Sequence, residues 1–365
     1  MIYRVIGLMS GSSLDGLDIV LAELDESRGK WSYIIKASHN YAYDTEFAQR
    51  LGTAASLPAY EYLLLHSEFG KFCGEKVNEF IDTYQLHHQV QLIASHGHTV
   101  FHAPQLGTTS QLGDGATIAA TTGINVVSDL RALDVALGGQ GAPIVPMGEK
   151  LLLSGYNWFL NIGGIANISL NNASDYKAFD VCAANRVLNL LAQQAGKSFD
   201  EGGQLAATGT VHTGLLTQLN ALPYYQQPAP KSLANQFGTD EVYPLIASFQ
   251  LPVADALATY IQHIAQQVAY AVNAVKAQVA QDGGTMLVTG GGALNTFLVK
   301  QLTNALQPLG ITVEVPEEQL VQYKEALIMA LLGILRWREE NTVLNSVTGA
   351  RRSSIGGAVW IGQEF

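Results

Sequence analysis

The sequence has few charged residues and no long basic run. Only 14% of its 365 residues are Asp, Glu, Lys or Arg, and the formal net charge is −11. No basic run is longer than the pair Arg351-Arg352. Proteins that bind nucleic acid through its phosphates usually carry a basic patch, so we expect no nucleic-acid partner.

Cysteines and long apolar segments are scarce as well. The two cysteines, Cys73 and Cys182, are far apart and form no CxxC pair, which favours reduced thiols over a disulfide or a zinc site. The longest apolar stretch, residues 326–335, is too short to span a bilayer and predicts a buried helix. The N-terminus shows no signal-peptide pattern. We therefore predict a cytoplasmic protein with no membrane partner.

Two familiar nucleotide-binding patterns are also missing. The chain has no GxxxxGK[ST] segment and no GxGxxG between a strand and a helix, which argues against P-loop and Rossmann binding. What the chain has in abundance is glycine, at 36 residues, and a hydrophobic content of 48%. This composition predicts an α/β protein with a large core and many functional turns.

One arrangement of strand, small-residue turn and strand occurs twice. The first spans residues 3–24 with its turn at 10–16, and the second spans residues 158–170 with its turn at 161–164. A third turn, at residues 290–292, follows another apolar strand. Turns without bulky side chains expose backbone N–H groups and suit phosphate, although one such turn alone is equally compatible with an ordinary hairpin. The repetition predicts two similar lobes that bind a nucleotide.

Helical periodicity and the absence of a linker set the predicted organisation. Apolar residues at three- and four-residue steps predict long helices at 59–84, about 253–281 and about 324–341. No Gly/Ser linker or low-complexity tract separates the lobes. We predict an N-terminal lobe of residues 1–128, completed by 353–365, and a second lobe of residues 129–352.

Six segments, taken in order, resemble the anhydro-N-acetylmuramic acid kinases. Residues 7–16 read GLMSGSSLDG, where the family usually has GLMSGTSxDG. The other segments are residues 95–102, 111–115, 128–131 with 138–143, 161–167 and 289–295. The resemblance covers nearly the whole chain. It implies a two-lobed α/β fold of the actin-like ATPase type, which is a duplicated ribonuclease H-like fold with a nucleotide cleft between its lobes.

The resemblance also implies an activity. Enzymes of this family use ATP to open 1,6-anhydro-N-acetylmuramic acid with water and to phosphorylate O6, giving N-acetylmuramic acid 6-phosphate in peptidoglycan recycling. The chain is thus expected to be a sugar kinase, a transferase of amino sugar metabolism with ATP and Mg²⁺ as cofactors. Its partners would be the small-molecule sugar, ATP and a second copy in a homodimer.

The reaction needs a carboxylate, because O6 is an ether oxygen in the substrate and water must be deprotonated as it attacks C1. The family base lies in a DTGPGN segment, and residues 180–185 here read DVCAAN. The resemblance therefore implies Asp180 as the catalytic base, followed by a loop of altered sequence. From the residues alone, Asp180 is equally suited to cap the helix predicted to follow it.

Nucleotide binding is assigned to the three small-residue turns. Their predicted cofactor-binding residues are Ser10, Gly11, Ser12, Ser13, Leu14, Asp15 and Gly16 in the first turn, Asn161, Gly163 and Gly164 in the second, and Gly290, Gly291 and Gly292 in the third. Carboxylate oxygens suit Mg²⁺, and either Asp15 or Asp18 could orient a hydrated ion. We predict Asp15 as the metal contact, through water.

Arg131 and Glu325 match family positions near the sugar. Arg131 suits the lactyl carboxylate of a muramic acid through a bidentate pair, and its alternative is a structural ion pair with Asp129 or Asp134. The alternative for Glu325 is a place in the first turn of a helix, where a carboxylate favours the helix dipole.

Thr99 is the third predicted sugar contact. It lies in a loop that reads His-Gly-Gln-Thr in the family, where His98 replaces the glutamine here. His96 and His98 alternate along a strand and share a face, but no third metal ligand is evident. Hydrogen bonding within the loop is therefore the favoured role for both histidines.

Departures from the family pattern keep two rival functions open. Residues 231–236 read KSLANQ, where the family usually has KSTGRE. One rival is a kinase of the same fold that acts on levoglucosan or on an ordinary hexose. The other is an actin-like or Hsp70-like module that uses ATP to switch the binding of a protein partner.

Overall fold

The computed structural model describes residues 1–11, 13–171, 176–228, 231–234, 236–279 and 283–362. Its strands are β1 (Ile2–Ser10), β2 (Gly16–Ser27), β3 (Lys30–Ala42), β4 (Leu92–Ala103), β5 (Thr108–Leu112), β6 (Val126–Ser128), β7 (Trp158–Ile162), β8 (Ile165–Asn171), β9 (Tyr176–Ala183), β10 (Gly284–Thr289), β11 (Ile311–Glu314) and β12 (Ala358–Trp360). Its helices are α1 (Thr45–Gly52), α2 (Ala59–Thr83), α3 (Gly115–Thr122), α4 (Ala132–Ala136), α5 (Pro146–Leu152), α6 (Asn185–Gln193), α7 (Thr213–Asn220), α8 (Tyr243–Ser248), α9 (Val253–Val279), α10 (Thr296–Leu306), α11 (Glu318–Trp337) and α12 (Asn345–Thr348).

The two sheets repeat one strand order. In the first sheet the order is β12-β6-β4-β1-β2-β3, with β5 paired to β4, and in the second it is β11-β10-β7-β8-β9. Each sheet has an antiparallel meander, β1-β2-β3 or β7-β8-β9. On its other side, the first strand of each meander pairs in parallel with β4 or β10, and these pair in parallel with β6 or β11. This is the ribonuclease H-like order used twice, so the predicted duplicated α/β fold is confirmed.

The chain divides into two compact units. Unit 1 comprises Met1–Ser154 with Tyr323–Phe365, and unit 2 comprises Gly155–Gln322. These breaks differ from the predicted ones, after residue 128 and before residue 353. Contacts within unit 1 explain the difference, because α4 packs on β5 and α5 packs on β3. Residues 129–154, which include α4 and α5, therefore belong to unit 1 with the first sheet.

Each unit has its own apolar core. In unit 1, α2 buries Phe69, Val77 and Phe80 against the first sheet. In unit 2, α9 buries the predicted apolar stripe, including Ile261 and Val268. Cys73 and Cys182 are free and buried. Of the helices in the described residues, none is both long and apolar enough to cross a membrane.

Gly7 marks a close approach of β1 to α11. A methyl group at this position would lie 1.9 Å from the carbonyl oxygen of Ala326 and 2.9 Å from the backbone nitrogen of Ala330. Backbone atoms of a packed helix have no rotamer to change, so the elements must separate. We expect Gly7→Ala to lower the free energy of unfolding by about 3 kcal/mol, measured by urea denaturation.

The matched control for this prediction is Gly155→Ala, because a methyl group there would meet no atom within 4 Å. It should change the free energy of unfolding by less than about 1 kcal/mol. Equal stabilities of the two variants would contradict the tight crossing at Gly7.

Candidate active site

Ser10 ends β1 in unit 1, and its side chain is held by the protein. The residue is 3% exposed. Its Oγ accepts a hydrogen bond of 2.7 Å from the Tyr43 hydroxyl and lies 3.0 Å from His98 Nδ1. Because the tyrosine donates, the Ser10 proton is available to His98. This chain of three side chains fixes the start of the predicted phosphate-binding turn.

The rest of this turn offers small and polar groups. Ser13 Oγ donates a 2.8 Å hydrogen bond to Asp15 Oδ1, and the backbone of Leu14 is left-handed, with φ of 58°. Gly16 opens β2 where a methyl group would lie 2.6 Å from the side chain of Asn40, so a larger residue does not fit there. Ser12 lies outside the described residues. The described part of the turn therefore exposes the hydroxyl of Ser13 and the carboxylate of Asp15.

Asp18 is a second carboxylate beside this turn. Burial raises the pKa of Asp18 to about 6, and the charges of Asp15 and Glu325 also raise it. A 2.8 Å hydrogen bond from Asn40 lowers this pKa. Within the described residues no group of three or more His, Cys, Asp or Glu side chains is placed to hold a metal ion. A Mg²⁺ ion at this turn would thus keep waters and phosphate oxygens among its ligands, which is its usual preference.

Arg131 is partly buried at the start of α4 and bonds to β4. Its Nε donates a 2.8 Å hydrogen bond to His96 Nε2, and its Nη1 donates one of 2.5 Å to the carbonyl of Gly141. Burial lowers the pKa of Arg131 to about 10, while the nearby charge of Glu325 opposes the shift. The guanidinium stays positively charged at neutral pH.

The predicted alternative role for Arg131 is wrong. Neither Asp129 nor Asp134 forms an ion pair with it in the described part of the chain. Asp129 has a left-handed backbone, with φ of 55°, and accepts a 2.8 Å hydrogen bond from Ser128 Oγ. Asp134 Oδ2 accepts one of 2.8 Å from the backbone N–H of Gly141. Arg131 is therefore not held by either neighbouring carboxylate.

Glu325 lies beyond the first turn of its helix. Because α11 begins at Glu318, the predicted dipole role for Glu325 is wrong. Burial raises the pKa of Glu325, while the charges of Lys324 and Arg131 lower it. Lys324 itself forms a buried ion pair of 3.0 Å with Glu149. Glu325 is thus close enough in unit 1 to influence both Arg131 and Asp18 electrostatically.

Thr99 is exposed on β4, and its Oγ1 accepts a 3.5 Å hydrogen bond from Gln111. Beside it is a cavity of about 170 Å³ with mostly apolar walls. The lining includes Leu14, Leu51, Ala55, His98, Thr99 and Val100. The predicted hydrogen bonding within the loop is seen for His96, at the carbonyl of Gly97, whereas its other nitrogen accepts from Arg131. His98 instead bonds outside the loop, to Ser10.

The two turns predicted in unit 2 leave the sheet side by side. β7 and β10 are parallel, and their register pairs Asn161 with Thr289. Thr289 Oγ1 also donates a 3.4 Å hydrogen bond to Asn161 Oδ1. The turn at 161–164 and the turn at 290–292 therefore begin at neighbouring positions of the second sheet.

Asn185, the first residue of α6, joins this pair of turns. Its Nδ2 donates a 3.0 Å hydrogen bond to the carbonyl of Ile162, and its backbone N–H donates one of 3.0 Å to the carbonyl of Gly163. A methyl group on Gly291 would lie 3.5 Å from Asn185 Nδ2. In the sequence, Asn185 is the last residue of the segment 180–185, and no local pattern predicts its hydrogen bond to Ile162.

Asp180 lies inside β9 and not at a helix cap. The residue at the cap of α6 is Ala184, which makes no side-chain capping hydrogen bond, so the alternative role of Asp180 is wrong. Its Oδ2 accepts a 2.9 Å hydrogen bond from the backbone N–H of Leu233 and a 3.4 Å bond from Ser232 Oγ. Burial raises the pKa of Asp180, and these two hydrogen bonds lower it.

The backbone of Asp180 is held on both sides. Its N–H donates a 3.0 Å hydrogen bond to the carbonyl of Lys231, and its own carbonyl accepts one of 2.7 Å from the Tyr224 hydroxyl. Lys231 Nζ lies 4.4 Å from the centre of the Tyr224 ring and donates to its carbonyl. The segment that departs from the family pattern at residues 233–236 thus still supports Asp180 through Lys231, Ser232 and Leu233.

Comparison with known proteins identifies the family of the chain. The family model described as anhydro-N-acetylmuramic acid kinase matches residues 3–362. A protein of that name from Coxiella burnetii (strain Dugway 5J108-111) is 34% identical over 378 residues, covering 99% of this chain and 98% of the relative. One from Synechococcus elongatus is 35% identical over 382 residues, covering 98% of this chain and 99% of the relative.

A solved structure, the activator of the 2-hydroxyisocaproyl-CoA dehydratase from Clostridium difficile with bound ADPNP, covers 92% of this chain and is itself covered to 96%. It is 16% identical, with a TM-score of 0.47, so the fold assignment rests on the strand orders and not on this likeness. The family match and the relatives extend over nearly all of the sequence, and the chain belongs to the anhydro-N-acetylmuramic acid kinase family.

Proposed function

We propose that this chain is an ATP-dependent kinase that opens 1,6-anhydro-N-acetylmuramic acid with water and phosphorylates its O6. The product is N-acetylmuramic acid 6-phosphate, which returns cell-wall sugar to metabolism. The observation that carries the proposal is the environment of Asp180. One of its oxygens is held by Leu233 and Ser232, while Oδ1 accepts no hydrogen bond from the described residues.

Asp180 supplies the base for the first step. As the oxygen of a water molecule attacks C1, Oδ1 of Asp180 takes a proton from that water. The bond between C1 and O6 breaks, and its electron pair goes to O6. Burial, by raising the pKa of Asp180, makes the carboxylate a stronger base than an exposed aspartate.

The second step is transfer of the γ-phosphoryl group of ATP to the released O6, and ADP leaves with the bridging oxygen. The turns at 10–16, 161–164 and 290–292 fit the phosphates, because they offer backbone N–H groups, hydroxyls and uncharged amides without bulky side chains. Asp15 would hold Mg²⁺ through water. When bound, the ion offsets the negative charge on the phosphates.

Arg131, Thr99 and Glu325 hold the sugar in this proposal. The partly buried guanidinium of Arg131 forms no ion pair with a carboxylate of the described residues, so it is available to the lactyl carboxylate. Glu325 and Thr99 supply hydrogen-bonding oxygens for hydroxyl and amide groups. We further infer a homodimer in the cytoplasm, and light scattering after gel filtration would test the dimer.

The experiment is mass spectrometry of the product after incubation with Mg²⁺-ATP and 1,6-anhydro-N-acetylmuramic acid. The proposal expects a sugar that has gained one phosphate and one water. Levoglucosan turned over in preference would favour a kinase for another anhydro sugar. ATP hydrolysis that does not depend on any added sugar would favour the switch module.

The hydrogen bond from Ser232 predicts a change in pH dependence. Asp180 acts only when ionised, so kcat/KM rises with pH through its pKa. Ser232 stabilises the ionised form, and Ser232→Ala should therefore raise the pKa and move the acid limb of the profile to higher pH. The alkaline plateau should fall by less than about tenfold, since one neutral donor is lost.

The control for Ser232 is Ser248→Ala, because the Ser248 hydroxyl donates to the carbonyl of Leu245 in its own helix and bonds to no other described residue. Its pH profile should match that of the unchanged protein. A lower plateau with an unmoved acid limb in Ser232→Ala would show that Ser232 does not act on the base.

A further inference from the structure

His96 is held in one protonation state by its two hydrogen bonds. The residue lies in β4 and is 4% exposed. A guanidinium has donors only, so the 2.8 Å contact with Arg131 Nε requires a lone pair on His96 Nε2. The remaining proton is then on Nδ1, which donates to the carbonyl of Gly97 at 2.8 Å. Only the neutral Nδ1–H imidazole satisfies both contacts.

The backbone around His96 is itself fixed. Gly97 is left-handed, with φ of 73°, and a methyl group there would lie 2.3 Å from the carbonyl oxygen of Leu112. Burial and the charge of Arg131 lower the pKa of His96 to about 3, so the ring stays neutral at working pH. His96 is therefore a rigid acceptor that does not change with pH near neutrality.

Two of the three guanidinium nitrogens of Arg131 are occupied. Nε is bonded to His96 and Nη1 to the carbonyl of Gly141, whereas Nη2 donates to none of the described residues. A planar guanidinium fixed at two nitrogens has one orientation. Its remaining donors then have a set direction before any substrate arrives, which lowers the cost of ordering the side chain on binding.

We propose that His96 is a positioning residue that orients the Arg131 guanidinium toward the lactyl carboxylate, and so sets the preference for muramic over lactyl-free anhydro sugars. The inference rests on the proposed function, because that function supplies the carboxylate. It extends that function to a side chain that does not contact the sugar. His96 acts only through Arg131.

The experiment compares two sugars that differ by the lactyl group, 1,6-anhydro-N-acetylmuramic acid and 1,6-anhydro-N-acetylglucosamine. His96→Ala should raise KM for the muramic sugar about tenfold, as expected for one lost charge-assisted hydrogen bond. Its KM for ATP and its kcat/KM for the lactyl-free sugar should change by less than about threefold. His96→Gln keeps an acceptor oxygen near the position of Nε2 and should restore most of the loss.

Arg131→Ala and the double variant complete the set. If His96 acts only through Arg131, the double variant should be no worse than Arg131→Ala. An equal loss for both sugars in His96→Ala, or no rescue by His96→Gln, would overturn the proposal and indicate a structural role. Circular dichroism of each variant checks that it is folded.

A readout without turnover separates this inference from the proposed function. Nitrogen-15 NMR of the histidine rings reports which nitrogen of His96 carries the proton. A proton on Nε2 would exclude the bond from Arg131 and overturn the inference. If the unchanged protein turns over neither sugar, the proposed function is wrong. Equal calorimetric affinity of His96→Ala and the unchanged protein for the muramic sugar would then overturn the inference as well.

Discussion

Asp180→Asn should lower kcat for ring-opening phosphorylation by about 10²- to 10⁴-fold, the usual contribution of a general base. The amide has the size of the carboxylate, and its oxygen still accepts the hydrogen bond that Leu233 donates to Asp180 at 2.9 Å. What it loses is the ability to take a proton from water. Single-turnover product analysis by mass spectrometry measures the loss directly at the chemical step.

ATP affinity separates lost chemistry from lost structure in this variant. Asp180 is assigned to the sugar and its water, so binding of ATP should change by less than about threefold. The matched control is Asp240→Asn, an exposed aspartate of unit 2 whose carboxylate accepts a 2.8 Å hydrogen bond from Thr239. Turnover by Asp180→Asn at the rate of this control would remove Asp180 from the mechanism.

The Asp180 result alone does not identify the sugar. A kinase for levoglucosan would also need a base, because its substrate contains the same kind of ether bridge. Arg131 makes the distinction, since levoglucosan has no carboxylate for the guanidinium. Arg131→Ala should therefore harm only the muramic substrate, and an equal loss with both sugars would favour the other acceptor.

The repeated turns and the long helices could be predicted because their signals are local. The hairpins β1-β2 and β7-β8 follow from apolar strands on both sides of small-residue turns, and α9 follows from the spacing of its apolar residues. The predicted helix at 324–341 instead begins at Glu318 and ends at Trp337. Its first turns carry the buried apolar residues Leu320 and Val321 among mostly polar neighbours, so the apolar stripe that predicts the helix is weak there.

The contacts that hold the site residues could not be predicted, because they depend on which strands pair. Tyr43 follows β3, a strand absent from the predicted hairpin, and Asn40 belongs to it. Their bonds to Ser10 and Asp18 depend on the register of β2 and β3. No local sequence feature marks either residue as part of the site.

Arg131 shows a related limit. Nearby aspartates were the natural partners to consider from sequence, because opposite charges attract. In the fold, Asp129 has a left-handed backbone and accepts a hydrogen bond from Ser128. His96 lies in β4, which pairs in parallel with β6, the strand that ends at Ser128 shortly before Arg131. The guanidinium thus donates to a neutral imidazole that is distant in sequence. Because the imidazole carries no charge, the positive charge of Arg131 remains available to a ligand.

Gly290→Ala should raise the dissociation constant for ATP by about tenfold or more. Gly290 begins the third small-residue turn with φ of 79° and ψ of 166°, a combination open almost only to glycine. A methyl group there would lie 2.7 Å from Asn161 Oδ1 and 2.8 Å from the carbonyl oxygen of Ile162. The substitution therefore displaces the neighbouring turn at 161–164 as well as its own, and both are assigned to the phosphates. Equilibrium titration with a fluorescent ATP analogue measures the change.

The control for Gly290→Ala is Gly196→Ala, which separates the effect of backbone strain from the loss of ATP affinity. Gly196 also has a positive φ, of 72°, but a methyl group there would meet nothing within 4 Å. Gly196→Ala should lose about 1 to 2 kcal/mol of stability, because an L-residue is forced to a positive φ. Gly290→Ala should lose more, because its φ and ψ lie in a region open almost only to glycine and its methyl group also meets the turn at 161–164. Only Gly290→Ala should also lose ATP affinity. Equal affinities in the two variants would mean that neither the turn at 290–292 nor the turn at 161–164 that it displaces approaches the nucleotide, and the phosphates would have to be assigned to the turn at 10–16.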